Sequence, residues 1–445
     1  MLTEKDRRIV VVGGGFAGTA VARVLETQLD ESWDIYLLTR SNVMTYNPLL
    51  PEVVGGALLP GHVAAPIRLM LSRARIRMVT VGQIDTNQRT VTYSGVVHGT
   101  LRYDHLVLAM GLAANLNAVP GMARHALPLK TLGDALHLRN TILRRLEEAT
   151  LTTDAARRRS LLTFVVIGGG FSGVETAGEI ADLVGSAYRH YRNIARDDPH
   201  VVLLHSGPRL LPEIAPQLGK YAQHMLERRG VEVRLGARAE RLDADSVALR
   251  DGEIIGGATL VSTVGTMPHE FVNTSQFPVD RGRILTDPDM RVRGSTDVWA
   301  VGDCARIRNA YDHLDCPPTA QFAVRQAKSA AANIIATVQG KPVRDFSYRP
   351  MGQLAAIGHR RAVAEIFGIR IHGFVGWLLW RALYLSKIPT MAAKVRVHFE
   401  WTWAMFFARD PGCLEFERTR LPEQDAAEAA SPELATLVQQ LDTRL

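Results

Sequence analysis

Two glycine-rich segments limit what this chain can fold into more than anything else in it. One is IVVVGGGFAG at residues 9–18. The other is FVVIGGGFSGVETAGE at residues 164–179. In each, β-branched residues lead into glycines spaced G-x-G-x-x-G: Gly13, Gly15 and Gly18, then Gly168, Gly170 and Gly173. A helix-like segment follows both. Glycine at these places permits a tight turn and a close approach of backbone to a pyrophosphate at a helix N-terminus. One such motif says little, but two, each set between a strand and a helix, predict an α/β chain with two Rossmann-like dinucleotide-binding domains, the second inserted in the first. Two dinucleotides imply a flavoprotein, with FAD in the first fold and NAD(P)H in the second. Phe16, Ala17, Phe171 and Ser172, inside the turns, are expected at the cofactors.

Bulk properties agree with a folded multidomain protein. The chain has 445 residues, 47% apolar and 22% charged, enough for about two to three domains. The expected divisions are 1–125 and 271–340 for the FAD domain, 126–270 for the NAD(P)H domain, 341–416 for a small β and helical region, and 417–445 for a mobile tail. Three cysteines, Cys304, Cys316 and Cys413, make no disulfide framework and suggest a reducing compartment. The formal charge of +7 suits anionic cofactors or an anionic membrane surface without selecting either. A polar lead into a strand at Ile9 predicts no signal peptide. No run reaches the ~18 apolar residues of a spanning helix.

Taken along the chain, strands are expected at Arg8–Val12 and Trp33–Leu38, with a helix over Thr19–Thr27 between them. The end of the second strand, where a carboxylate would meet the adenosine ribose, carries Thr39 and Arg40. Asn47-Pro48-Leu49-Leu50-Pro51 reads as a rigid turn where Pro48 and Leu49 bring backbone to the flavin, or as a plain surface turn. Short strands are expected at 76–80, 83–85 and 90–93. A strand over 103–111 ends at Ala109-Met110-Gly111, another approach to a nucleotide. A helix is predicted over 132–146, and the run Arg157-Arg158-Arg159 reads as a solvated link rather than a nucleic-acid site. In the inserted domain, Glu175 and Glu179 share a helix face. Glu175 lies near that helix's N-terminus, either directed at the nicotinamide or serving the helix dipole. After strand 200–204 the acid position is His205, followed by Ser206 and Arg209, a set that lends itself to a 2′-phosphate. A helix over 218–229 follows, then strands at 231–235 and 246–249 with Asp251-Gly252 as their turn. The strand at 260–264 leads to a turn at Gly265.

Back in the first fold, VWAVGDC at 298–304 delivers Gly302 and Asp303 to an expected helix start, where Asp303 meets FAD hydroxyls, caps the helix, or does both. Cys304 beside it invites a thiol-redox reading, but there is no C-x-x-C pair, and no Cys/His cluster has metal-ligand spacing. Pro317-Pro318 precedes a helix from Ala320 to about Thr337. Gln321 and Arg325 are four apart on it and are expected to border the second substrate's pocket. A hairpin is expected over 354–367. Residues 373–407 hold four of the six tryptophans, interleaved with Arg381, Lys387, Lys394 and Arg396, with Arg409 just beyond, and are split by Pro389. Neither half is long enough to span a bilayer. Both suit its interface, with a helical pair covering the flavin domain or a dimer contact as the alternatives.

Together these features resemble the type II (non-proton-pumping) NADH:quinone oxidoreductases, among the pyridine nucleotide-disulfide oxidoreductase-like flavoproteins, over about residues 8–416. The likeness rests on GGGFAG at 13–18, NPLL at 47–50, YDHLVLAMG at 103–111, LPLKTLGDAL at 127–136, GGGFSGVETAGE at 168–179, SGPRLLP at 206–212, VGDCA at 301–305 and PPTAQFAV at 317–324. It implies non-covalent FAD, NADH as donor, and a membrane quinone as acceptor. It also implies peripheral attachment to the cytoplasmic side of the cell membrane through the C-terminal helices, commonly as a homodimer, with no part for nucleic acid. Glu175 then stands at the nicotinamide–flavin contact, and Gln321 is the first glutamine of an A-Q-x-A-x-Q quinone motif whose second is Arg325 here. The alternatives are a soluble NAD(P)H-dependent reductase of another acceptor and a non-catalytic flavoprotein sensor or scaffold.

Overall fold

The computed structural model describes residues 7–274 and 276–414; the tail expected at 417–445 lies outside the described residues. The chain opens with β1 (Arg7–Val12), α1 (Phe16–Gln28) and β2 (Trp33–Thr39), the last buried along its whole length. A short helix, α2 (Leu50–Val54), precedes β3 (Arg75–Asp85), β4 (Thr90–Gly95), β5 (Gly99–Arg102) and β6 (His105–Leu108). The inserted elements follow: β7 (Ala126–Pro128), α3 (Leu132–Leu151), β8 (Thr163–Ile167), α4 (Phe171–Ala187), β9 (His200–His205), α5 (Pro216–Glu227), β10 (Val231–Leu235) and β11 (Thr259–Ser262). The first fold resumes with β12 (Val298–Ala300) and α6 (Ala320–Val338).

Two parallel sheets result. The first runs β12-β6-β1-β2-β3 in parallel and continues into the antiparallel β4 and β5. The second, β7-β11-β8-β9-β10, is parallel throughout. All five of its strands lie in sequence between β6 and β12, so one fold is inserted in the other. Strands covered on both faces need no polar alternation, which is why Ile9–Val12 and Phe164–Ile167 are unbroken apolar runs. Strand order reverses beside β1 in the first sheet and beside β8 in the second. Those are the switch points where ligands of open α/β sheets bind, and each carries a glycine turn.

The C-terminal region adds an antiparallel sheet of β13 (Gly352–Ala356), β14 (Ala362–Ile366) and β15 (Ile369–His372), then α7 (Gly373–Lys387) and α8 (Met391–Trp403). Trp377, Trp380 and Trp401 are buried in the same core as α4. An indole buries about 200 Å², worth on the order of 5 kcal/mol, so both helices belong to the core and are not a detachable appendage. Trp401 Nε1 donates to the Glu52 carboxylate, and Glu400 accepts from Leu59 N–H at 3.1 Å. The opposite face leaves Phe374, Val375, Leu378, Val395, Phe399, Trp403, Phe406 and Phe407 exposed. No described helix is long and apolar enough to cross a membrane.

Several sequence expectations change. The pieces at 76–80 and 83–85 are one strand, β3, interrupted by a register shift between Val81 and Ile84. Arg157–Arg159 lie in a helix, Ala155–Leu161, capped by Asp154. The strand over 103–111 is only His105–Leu108. The Asp251-Gly252 turn joins Ser246–Leu249 to an antiparallel strand, Ile254–Gly256. Gly302–Cys304 is a turn into a short strand, Ala305–Arg306, with no helix before Ala320. The Asn47–Leu49 turn is a single 3-10 turn that runs straight into α2.

Candidate active site

The two glycine turns are built alike. Gly13 and Gly168 have φ of +111° and +117°, a region that favours glycine. A Cβ on Gly18 would lie 1.8 Å from the Gly13 carbonyl oxygen, and one on Gly173 would lie 1.7 Å from that of Gly168. Those two glycines let each helix pack onto its own turn. The middle glycines differ: a Cβ on Gly15 meets nothing within 4 Å, and one on Gly170 meets only Glu213 Oε1 at 4.0 Å. Neither α1 nor α4 is capped by a side chain. Open space above Gly15 and Gly170, facing uncapped helix amides, fits a dinucleotide pyrophosphate on each turn.

The strand-end positions are occupied by internal contacts. Thr39 Oγ1 donates to Ser41 O at 3.0 Å, and Arg40 is exposed. His205 Nδ1 accepts from Gly169 N–H at 3.2 Å, and burial lowers the ring's pKa, so it sits as a neutral support under the second turn. Arg209 Nη1 and Nη2 donate to the carbonyls of Ile214 and Pro212 at 2.8 and 2.7 Å. Two of the guanidinium's five N–H groups thus tie its own loop. Met110 O meets His269 Nε2 at 3.1 Å between Ala109 and Gly111. Gly302 N–H donates to Gln326 Oε1 at 2.9 Å, and a Cβ there would come within 3.1 Å of Ala17. Burial raises the pKa of Asp303, opposed by the charges of Lys130 and Arg283. Leu49 is wholly buried and does not line the cavity described below, whereas its neighbour Pro48 does.

Between the two turns lies a cavity of about 830 Å³. Phe16 stands at the head of α1, and Phe171, Ser172 and Glu175 at the head of α4. Ala320, Gln321 and Arg325 come from α6, Pro48 from the 3-10 turn, and Gly265 from the exit of β11. All three residues expected to be catalytic thus face one space, together with six others expected at the cofactors. Gln321 Oε1 accepts from the Tyr348 hydroxyl at 3.3 Å, and the Arg325 guanidinium lies 5.3 Å over the Tyr348 ring.

Glu175 Oε1 accepts from the buried Ala356 N–H of β13 at 3.0 Å. Burial pushes its carboxyl up to about 8, the charges of Glu52 and Glu179 adding to the effect against that hydrogen bond. Glu52, under Trp401, is likewise pushed up to about 8 by burial and by Glu179. Glu179 is neutralised by Arg409, 2.6 Å away, which also reaches Asp182 at 3.3 Å. Here the interfacial reading of two basic residues fails. Arg409 is an internal counter-ion, and Arg381 lies between Trp377 and Trp401, 3.8 and 5.0 Å from their ring centroids. Thiol chemistry is disfavoured too: Cys304 and Cys316 are buried, and burial pushes both thiols up to about 11. Among the described residues no His, Cys, Asp and Glu group has the arrangement of a metal site.

Sequence reasoning missed Glu52, Lys130 and Tyr348, and it read Tyr384 and Lys387 only as parts of the aromatic, basic C-terminal stretch, whereas both line the cavity. Lys130 lines the cavity, its carbonyl accepting from Asn47 Nδ2 at 3.1 Å and its amide donating to Asp134 Oδ2 at 2.9 Å. The Thr131–Asp134 capping box of α3 was the only local signal that this stretch is held rigidly.

A family profile described as pyridine nucleotide-disulphide oxidoreductase matches residues 7–327, and one described as NDH2 C-terminal domain matches residues 351–410. A type II NADH:quinone oxidoreductase of Mycobacterium tuberculosis is 32% identical over 96% of this chain and 95% of its own. This chain belongs to the type II NADH:quinone oxidoreductase family. A demethylphylloquinone reductase of Synechocystis is similar to this family member at 30% identity over 90% of this chain and 96% of its own. In fold, this type II oxidoreductase matches NDH2 of Plasmodium falciparum, solved in complex with NADH, with a TM-score of 0.85 at 18% identity over 92% of this chain and 100% of that one.

Proposed function

We infer that this protein oxidises NADH and passes the electron pair to a membrane quinone without pumping protons, with FAD as its resident group. The observation that carries the reading is the meeting of Glu175, Gln321 and Arg325 in one cavity between two glycine turns. FAD, when bound, supplies the two-electron chemistry that joins the substrates. The chain's residues bind and orient. Gly13, Gly15 and Gly18, with the uncapped head of α1, take one pyrophosphate. Gly168, Gly170 and Gly173, with the head of α4, take the other. Thr39, Arg40, Ala109, Gly111, Gly302 and Asp303 border the first dinucleotide, and His205 and Gly265 the second. Phe16 and Phe171 exclude water from the contact between them. Glu175 holds a proton near neutral pH within reach of the space where quinone must gain two. Gln321 and Arg325, steadied on Tyr348, orient the acceptor's oxygen. With Arg209 and His205 already engaged, NADH is the preferred donor.

The same reading places the protein peripherally on the cytoplasmic side of the membrane, where it meets NADH, with the exposed apolar face of α7 and α8 in the headgroup layer. Homodimer assembly and the domain limits 1–125, 126–270, 271–340 and 341–416 are part of the proposal. Anaerobic titration of the FAD-loaded protein with NADH, then with a menaquinone or ubiquinone analogue, tests it. Bleaching of the flavin band by NADH and its recovery with quinone are expected; no bleaching would defeat the reading.

A further inference from the structure

A second concavity, of about 380 Å³, opens at the starts of β7 and β11. Those strands enter the main cavity only at their far ends, where Lys130 and Ser262 line it. The two sites therefore lie at opposite ends of the same strands, separated along β11 by about 10 Å at ~3.3 Å per residue. One wall is a face of α3. His137, Thr141, Arg144, Arg145 and Glu148 follow one another at helical spacing and all line the space. Arg124 and His125 close the other side.

The lining is charged lopsidedly. Three arginines and two histidines face a single carboxylate, and Glu148 is already taken by Arg145 Nη1 at 2.7 Å. Two donors there are left over. Arg145 Nε and Thr259 Oγ1 are buried without a hydrogen-bond partner, and Thr259 is only 1% exposed. A buried hydroxyl with no partner is costly to keep, and a fold rarely keeps one unless something satisfies it. Guanidinium groups around a recess, with a hydroxyl at its base, are the donor set that carboxylates and phosphates require. The volume falls in the range of small-molecule sites.

We propose that this pocket is a second ligand site, one that takes a small, multiply charged oxyanion bearing phosphate or carboxylate groups. Occupancy there does not compete with either dinucleotide, because the second pyrophosphate turn lies at the other end of this sheet and the first lies on the other sheet.

The test uses the full chain loaded with FAD and saturated with NAD⁺, so that both glycine turns are filled. Pyrophosphate and citrate are titrated separately by calorimetry at constant ionic strength set with potassium chloride. One binding event per chain is expected. Tighter binding of pyrophosphate assigns a phosphate-bearing ligand, and tighter binding of citrate a polycarboxylate. The exposed pair Arg124→Ser and Arg144→Ser should weaken binding by about tenfold or more. Thr259→Val, nearly isosteric, should weaken it by about threefold. Both variants should keep FAD and NADH-driven activity. Binding of neither anion, or equal binding by wild type and the double variant, would overturn the proposal.

Discussion

Replacing Glu175 by Gln tests the centre of the site quantitatively. The carboxyl is 7% exposed, and its pKa rises from 4.5 to about 8 on folding. Between those values the unfolded chain has lost this proton and the folded chain retains it. Stability therefore falls as pH rises across the window, by about 1.4 kcal/mol per pH unit, and levels off above 8. Over the whole window this is on the order of 5 kcal/mol, or about 5 °C for a chain of this size. Glutamine keeps the shape and accepts from Ala356 N–H but has no proton to lose. Wild type and Glu175→Gln should melt together near pH 4.5 and diverge as pH rises, the variant becoming the more stable. Thermal unfolding of the FAD-loaded protein at pH 5, 6, 7, 8 and 9 reads the divergence. In stopped flow, reduction by NADH should change little, because hydride transfer takes no proton from the protein. The reaction with quinone should slow by about 100-fold, a common contribution of a positioned acid. Parallel melting curves together with an unchanged quinone rate would refute the reasoning.

Four further outcomes follow from the same geometry. Gly170→Ala, adding a Cβ into open space, should fold normally and raise KM for NADH by about tenfold, whereas Gly173→Ala, driven against the Gly168 carbonyl, should lower Tm; identical behaviour of the two would contradict the assigned packing. Arg409→Ala leaves the buried Glu179 without its cation, while Asp182 keeps Arg229, and should cost about 3–5 kcal/mol, read as chemical denaturation at pH 7. Trp403→Ser with Phe399→Ser, on the exposed face, should abolish co-sedimentation with anionic liposomes while leaving Tm and soluble-quinone activity intact; truncating α7 and α8 instead would strip three tryptophans from the core. The ratio of kcat/KM for NADH over NADPH should exceed about 10, and His205→Ala should lower Tm by loosening Gly169 rather than invert the ratio.

Much of the architecture was readable because it rests on local physics. The glycine positions follow from sterics within one turn, and the unbroken apolar strands follow from burial on both faces. Pro389 ends α7 and separates it from α8 by the rules of backbone geometry alone. Glu175 was legible from its place near a helix start, Gln321 and Arg325 from their i,i+4 spacing and the motif they resemble, and all three line one cavity. The pairing of residues remote in sequence was not legible. Nothing near Glu52 signals that Trp401 will cover it, or that its charge will help hold the proton on Glu175.

The sequence by itself therefore determined two nested dinucleotide folds and the faces of their leading helices, because those depend on residues a few positions apart. Only the tertiary structure decided what each charge faces. Arg381 and Arg409 have the residue type and aromatic company of an interfacial anchor, yet packing turns one between indoles and the other onto Glu179 and Asp182. The reason is physical: side-chain chemistry specifies what a group can bind, but burial and the nearest opposite charge, both set by long-range packing, choose among the options.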